Sequence, residues 1–105
     1  MAQFDAYRNP NSTTRTRIPY LLDVQSDLLE PLATRVVIPL CKPGVLKGKT
    51  AERLNPIFEI GGKKVVALTP ELAGVPAKIL GEPISNLASQ RSVIIAALDL
   101  VFTGI

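Results

Sequence analysis

No histidine and no tryptophan occur among the 105 residues, and cysteine and methionine occur once each. Each absence narrows the chemistry. Histidine is the usual general base near neutral pH. Without it, Ser-His-Asp and Cys-His catalysis and histidine metal sites are excluded. An enzyme built on this chain would have to work with Asp, Glu, Lys, Arg or Tyr. With Cys41 alone, no intramolecular disulfide can form, which suits a reducing compartment. A single thiol beside a strand end reads as a small buried hydrophobe. Apolar stretches fall well short of the ~18 residues of a membrane span. The opening "MAQFDAYRNPNSTT" has no apolar signal-peptide core, so a soluble, cytoplasmic protein is expected. Internal repeats and low-complexity linkers are also missing.

What remains is a globular composition. Apolar residues make up 47% of the chain, and a single domain over 1–105 is expected. A domain of that size buries roughly 65% of the surface its unfolded chain exposes, so it needs no disulfide or metal to fold. The net charge of +3 is a mild excess. The basic residues are scattered, which suits an acidic protein partner better than nucleic acid. Nine prolines and seven glycines call for short elements and many turns.

Alternating apolar and polar residues predict a strand at Gln3 to Arg8, and richness in β-branched and apolar residues predicts strands at Pro19 to Gln25 and Thr34 to Leu40. The polar run Asn9 to Arg17 reads as a mobile loop. The connection "SDLLEPLA" carries the adjacent Leu28 and Leu29, and "CKPGVLKGK" carries a Pro-Gly turn. "NPIFEI" and "KKVVALT" flank Gly61-Gly62, a hairpin signal. "TPELAG" suggests one helical turn, with Thr69 as N-cap, Pro70 at the first position and Gly74 as the stop. "VPAKILGEP" reads as a last strand. A terminal helix follows, capped by Ser85 or Asn86, running to about Phe102 and stopped by Gly104. Six or seven short strands and one helix make a β-rich α+β domain: a small, strongly bent antiparallel sheet or barrel.

At 100° per residue, Ser89, Ser92, Ala96, Asp99 and Thr103 share one stripe of small or polar side chains. The rest of the helix is apolar over an arc wider than the ~100° needed to dock on one core. Either a second copy covers the excess across a two-fold axis, or the helix sinks into a groove of its own barrel. The stripe is either plain solvated surface or a docking face. Leu28 and Leu29 are equally open, since adjacent leucines in a connection are often core.

"DVQSDLL" (Asp23 to Leu29), "RVVIPL" (Arg35 to Leu40), "IGG" (Ile60 to Gly62), "LTPELAGVPAKILGEPISNLA" (Leu68 to Ala88) and the closing "GI" resemble, in combination, the CcdB family. The likeness runs from Gln3-Phe4 to Ile105. The resemblance implies an SH3-like barrel with a C-terminal helix, a homodimer, and the toxin of a type II toxin–antitoxin module. It implies that the dimer binds the A subunit of bacterial DNA gyrase and traps the enzyme on cleaved DNA. A cognate antitoxin would release it with a disordered C-terminal tail. No catalytic residue, metal or cofactor is implied. The family's gyrase-contacting positions fall on Ser92, Ala96, Asp99, Thr103, Gly104 and Ile105, with Leu28 and Leu29 nearby. The dimer seam is expected at Val93, Ala97, Leu100 and Val101. This chain departs where the family pattern has tryptophan and it has Thr103, and where asparagines give way to Ser92 and Ala96. The longer loop Asn9 to Arg17 is a candidate antitoxin contact. A second function on the same barrel is a MazF-like ribonuclease, which would draw on Arg15, Arg17, Arg35 and Glu59. An SH3-like adaptor would need an aromatic groove, for which five aromatics are few.

Overall fold

The computed structural model describes residues 1–48 and 51–104. Among these, seven strands form one antiparallel sheet, closed on one face by a helix. The strands are β1 (Asp5–Arg8), β2 (Tyr20–Asp23), β3 (Thr34–Cys41), β4 (Ile57–Ile60), β5 (Lys63–Ala67), β6 (Ala73–Pro76) and β7 (Pro83–Asn86). The helix α1 spans Arg91–Thr103. The expected β-rich α+β architecture with a bent sheet is present.

The eight-residue β3 is the spine of the sheet. One edge pairs with β2 from Tyr20↔Leu40 to Asp23↔Val37. The other edge is shared: β6 takes Thr34 to Val37, and β5 takes Leu40 and Cys41. Between the two partners stands Pro39, whose carbonyl accepts the Leu68 N–H at 2.9 Å. In an antiparallel strand a residue's N–H and C=O face the same edge. The N–H that proline lacks therefore falls at the fork, where a ladder bond is already lost. The fork divides the sheet.

Strand alternation then sorts the core. Ala6, Leu22 and Ile38 line up across β1, β2 and β3. They pack with Phe4, Leu40, Phe58, Val65 and Leu87 against Ile94 of the helix. The opposite face holds Tyr7, Leu21, Val37 and Leu80. The β4–β5 hairpin turns on Gly61 (φ 60°) and Gly62 (φ 79°). Ile60 faces Lys63, so the loop has two residues that both need positive φ, which fits the Gly-Gly pair.

Several local expectations are corrected. Strand β1 starts at Asp5 rather than Gln3, because Phe4 takes φ 72° and donates its N–H to the Asp23 carbonyl at 2.6 Å. Burial of the Phe4 ring holds that unusual conformation. Thr69 caps nothing. It opens a short 3-10 turn, is fully buried, and its hydroxyl finds no partner among the described residues. Gly74 does not stop that turn. It lies in β6 opposite Val36. "VPAKILGEP" is not one strand, since a 3-10 turn at Ala77–Ile79 and a Gly81 at φ 68° break it. Ser85 and Asn86 belong to β7, and the helix begins only at Arg91. Asn86 Oδ1 instead accepts the Ala88 N–H at 2.8 Å, two residues on, in a turn before the 3-10 segment Ala88–Gln90 whose N-cap is Leu87. The polar stretch Asn9 to Arg17, expected as a mobile loop, is folded on itself. Asn9 Nδ2 donates to Thr14 Oγ1 and to the Ile18 carbonyl, and Arg15 Nε donates to the Asn9 carbonyl at 2.6 Å.

Tyr7 supplies a pH test. It is fully buried, and its hydroxyl donates to Asp5 Oδ2 at 3.4 Å. Burial above all, then the carboxylates of Asp5 and Asp23, push its pKa up to about 12. A raised folded pKa means stability that is complete below pH ~10 and lost as pH climbs toward ~12, because the unfolded phenol ionises first. The loss amounts to about 3 kcal/mol, at 1.36 kcal/mol per pKa unit. Urea unfolding between pH 9 and 12 should show this steep decline in the wild type and a shallower one in Tyr7→Phe. Identical slopes would contradict it.

Candidate functional site

The strand-to-turn segment Asp23 to Leu29 is built around a buried ion pair. Asp23 and Arg35 are 0% and 1% exposed, with Arg35 Nη2 2.7 Å from Asp23 Oδ2. Arg35 Nε donates to the same oxygen at 2.7 Å. The other carboxylate oxygen accepts the Gln25 N–H at 3.0 Å. Burial pushes the Asp23 pKa up by more than the Arg35 guanidinium pulls it down. Arg35 Nη1 is buried without a partner.

Every polar side chain in the segment extends this scaffold. Gln25 Oε1 accepts the Val36 N–H at 3.1 Å, and its Nε2 donates to the Leu29 carbonyl at 3.2 Å. Ser26 Oγ accepts the Leu28 N–H and caps the 3-10 turn Asp27–Leu29. Asp27 Oδ1 accepts the Gln3 N–H at 2.8 Å. The product is a fixed turn that holds two leucines in water: Leu28 is 90% exposed and Leu29 47%. Neither is core.

Gln3 continues the path. Its Nε2 donates to the Val24 carbonyl, and its Oε1 accepts from Arg91 Nη1 at 3.3 Å. The Arg91 guanidinium also lies over the Phe4 ring, 5.6 Å from its centroid. The leucine turn is thus tied to the first residue of α1. Sequence reasoning did not single out Gln3 or Arg91 for this. The hint available was Gln3-Phe4 just before β1, with no visible reason for a polar residue there.

The helix presents three arcs. Ile94 and Ala97 face the core. Ser92, Ala96, Asp99 and Thr103 point the opposite way and are exposed, as is Ser89 just before the helix. On one flank lie Val93, 41% exposed, and the half-buried Leu100. On the other lie the half-buried Ile95 and Phe102, which is 69% exposed. Val101 is half-buried near the core side. Ala97 is corrected as a dimer-seam residue: at 1% exposure it has no surface left to share. Thr103 turns its hydroxyl back to donate to the Asp99 carbonyl at 2.7 Å. Gly104 ends the helix at φ 76°, and its N–H donates to the Leu100 carbonyl at 3.0 Å. That left-handed cap suits glycine. Ile105 lies outside the described residues. Thr103 stands about 18 Å along the helix from Arg91 at 1.5 Å per residue, so the leucine turn and the helix tip mark opposite ends of α1.

Two of the residues considered for catalysis are tied into the fold. Arg35 is buried on Asp23, and Arg15 Nη2 and Nε are bound to the Pro10 and Asn9 carbonyls. Of the four residues considered for RNA cleavage, these two are committed to structure. Burial pushes the Cys41 thiol pKa up, away from the reactive thiolate. Among the described residues no group of three or more His, Cys, Asp or Glu could hold a metal, and no helix is long and apolar enough to cross a membrane.

Comparison with known families agrees with this sheet and terminal helix. A family model described as CcdB protein matches residues 3–104. The chain belongs to the CcdB family. That family comprises toxins of type II toxin–antitoxin modules that act by binding. Two of the CcdB-like segments, "DVQSDLL" and "RVVIPL", now have a physical link, because Asp23 in the first and Arg35 in the second are the buried pair.

Removing one member of that pair strands the other charge, which costs about 3–5 kcal/mol, whereas apolar replacement of both is far milder. Urea midpoints should therefore show Arg35→Met well below wild type and Asp23→Leu/Arg35→Met recovering most of the loss. A single Arg35→Met costing less than about 1 kcal/mol would contradict the assigned network.

Proposed function

We propose that this protein is a toxin that binds the A subunit of bacterial DNA gyrase, holds the enzyme on cleaved DNA, and is neutralised by a cognate antitoxin with a disordered C-terminal tail. The observation that carries the reading is the outward stripe of α1. Ser92, Ala96, Asp99 and Thr103 lie opposite the core and are all exposed, on a helix whose C-terminal stop is Gly104. Small side chains in a row let a partner element approach closely. Gly104 at the tip, with Ile105 beyond the described residues, extends the contact, and Leu28 and Leu29 form a second contact at the other end.

The active unit in this reading is a homodimer seamed along Val93, Leu100 and Val101. A two-fold axis then offers two copies of the stripe to a two-fold gyrase dimer. The toxin stabilises the cleaved state by binding it better than the closed state, and a ligand shifts an equilibrium only by that difference. No cofactor and no side-chain chemistry are required. Gyrase works in the bacterial cytoplasm, which is where the toxin acts in this account. The folded stretch Asn9 to Arg17 is offered as an antitoxin contact.

The test is a gyrase cleavage assay with purified protein and supercoiled plasmid. Linear DNA should accumulate after detergent and protease treatment. Deleting Thr103 to Ile105 should abolish that product while sedimentation still reports a folded dimer. RNA degradation without a cleavage complex at micromolar toxin would overturn the reading in favour of a ribonuclease. A truncated dimer that still trapped gyrase would overturn the site.

A further inference from the structure

We propose that the cleft between the start of β2 and the part of β5 that β3 leaves unpaired binds a nucleotide, with the ring on an apolar floor and the phosphates among three lysines. The cleft exists because β3 leaves the sheet early. After Cys41 the chain reaches Pro43, which has no N–H to offer a ladder, and turns into a 3-10 segment at Pro43–Leu46. Strand β5 pairs with β3 only through Val66 and Ala67, so Lys63, Lys64 and Val65 have no strand partner on that edge. The gap encloses about 450 Å³, within the ~300–1,000 Å³ of small-ligand pockets. No described residue of α1 or of the leucine turn lines it.

The floor is apolar. Val65 is buried, and Pro19 and Tyr20 are half-buried, with Tyr20 packed on the main core. One aromatic ring and the pyrrolidine rings of Pro19 and Pro43 suit a planar ligand ring.

The rim is cationic. Lys42, Lys63 and Lys64 line the cleft and are exposed, and no carboxylate lines it. Asp23–Arg35 is the one ion pair among the described residues, so these three ammonium groups have no carboxylate partner there. Glu59 stands opposite Lys64 across β4 and β5 but lies outside this cleft. The backbone adds a donor. Lys63 closes the two-residue loop onto Ile60, while Val66 pairs with Cys41 of β3. Bonding alternates along an antiparallel strand, so the Lys64 N–H points with Val66 toward the β3 side, where β3 has ended.

Three point charges and an outward N–H match the oxygens of a diphosphate or triphosphate. A single carboxylate would leave most of that charge unanswered. The lysines also surround a cleft rather than mark out a track, which favours a free nucleotide over a strand of nucleic acid. In the sequence these lysines look scattered, and the early exit of β3 brings them together.

Calorimetric titration of the intact protein with ADP tests the assignment, with adenosine and inorganic pyrophosphate titrated separately. ADP should bind with a Kd below about 1 mM, more tightly than either part. Its binding should weaken as salt rises from about 50 to about 300 mM. Lys63→Ala/Lys64→Ala should bind ADP at least about tenfold more weakly at an unchanged urea midpoint. Lys78→Ala, in a turn that does not line the cleft, should bind like the wild type. Absence of ADP binding, pyrophosphate bound as tightly as ADP, or a double variant within about twofold of wild type would overturn the site. An oligonucleotide or acidic peptide that took the cleft while ADP did not would overturn it too. None of these outcomes bears on the target-docking reading.

Discussion

The Asp23–Arg35 pair is the contact on which the rest of this small domain is arranged. It joins β2 to β3 on the face of the sheet away from the helix, where neither group is touched by water. Such a pair contributes little net stability, because desolvation offsets most of the attraction. Its effect is geometric. The carboxylate fixes the Gln25 backbone, Gln25 fixes the Leu29 carbonyl and the β3 edge, and Ser26 and Asp27 complete the turn. A surface loop bearing two exposed leucines would otherwise collapse onto apolar surface or fluctuate. Here it is held by bonds that begin in the core.

The helix answers a different constraint. It must close a sheet forked at Pro39 and leave a face free. Ile94 and Ala97 meet that demand from the core side, with Ala97 small enough for close approach to the turn that contains Thr69. The opposite stripe stays exposed because its residues have almost nothing to bury. Gln3 and Arg91 then fix the leucine turn to the start of the helix. A rigid platform with two exposed, separated surfaces suits a protein that acts by binding. It also explains how a family of toxins can do without the acid–base groups this chain lacks.

Much of this was legible in the residues. The Gly61-Gly62 hairpin, the Gly104 stop and the outward stripe follow from positive-φ chemistry and helical angle, which are local. What was misread depends on distant partners. Ser85 and Asn86 carry N-cap side chains, but β1 captures their backbone into β7. Thr69 precedes a proline as a cap would, yet the helix packs over it and buries its hydroxyl. Gly74 looked like a stop because the partner that makes it a strand, Val36, is far away in sequence. Ala97 lies on an apolar arc whose core-facing direction no helical wheel reveals. Arg35 could be imagined at a surface groove until its partner Asp23 was in view.

If the target docks on the outward face of α1, a bulky label placed there must block it. Cys41 is fully buried, so an introduced surface cysteine will take up a bulky maleimide selectively. Ser92→Cys places the label on the stripe. Lys78→Cys places it in the exposed turn before Leu80, which packs on the sheet face away from the helix. The label at position 92 should block gyrase A binding, and the label at position 78 should leave it intact. Undiminished binding with position 92 labelled, or loss only with position 78 labelled, would contradict docking on that face.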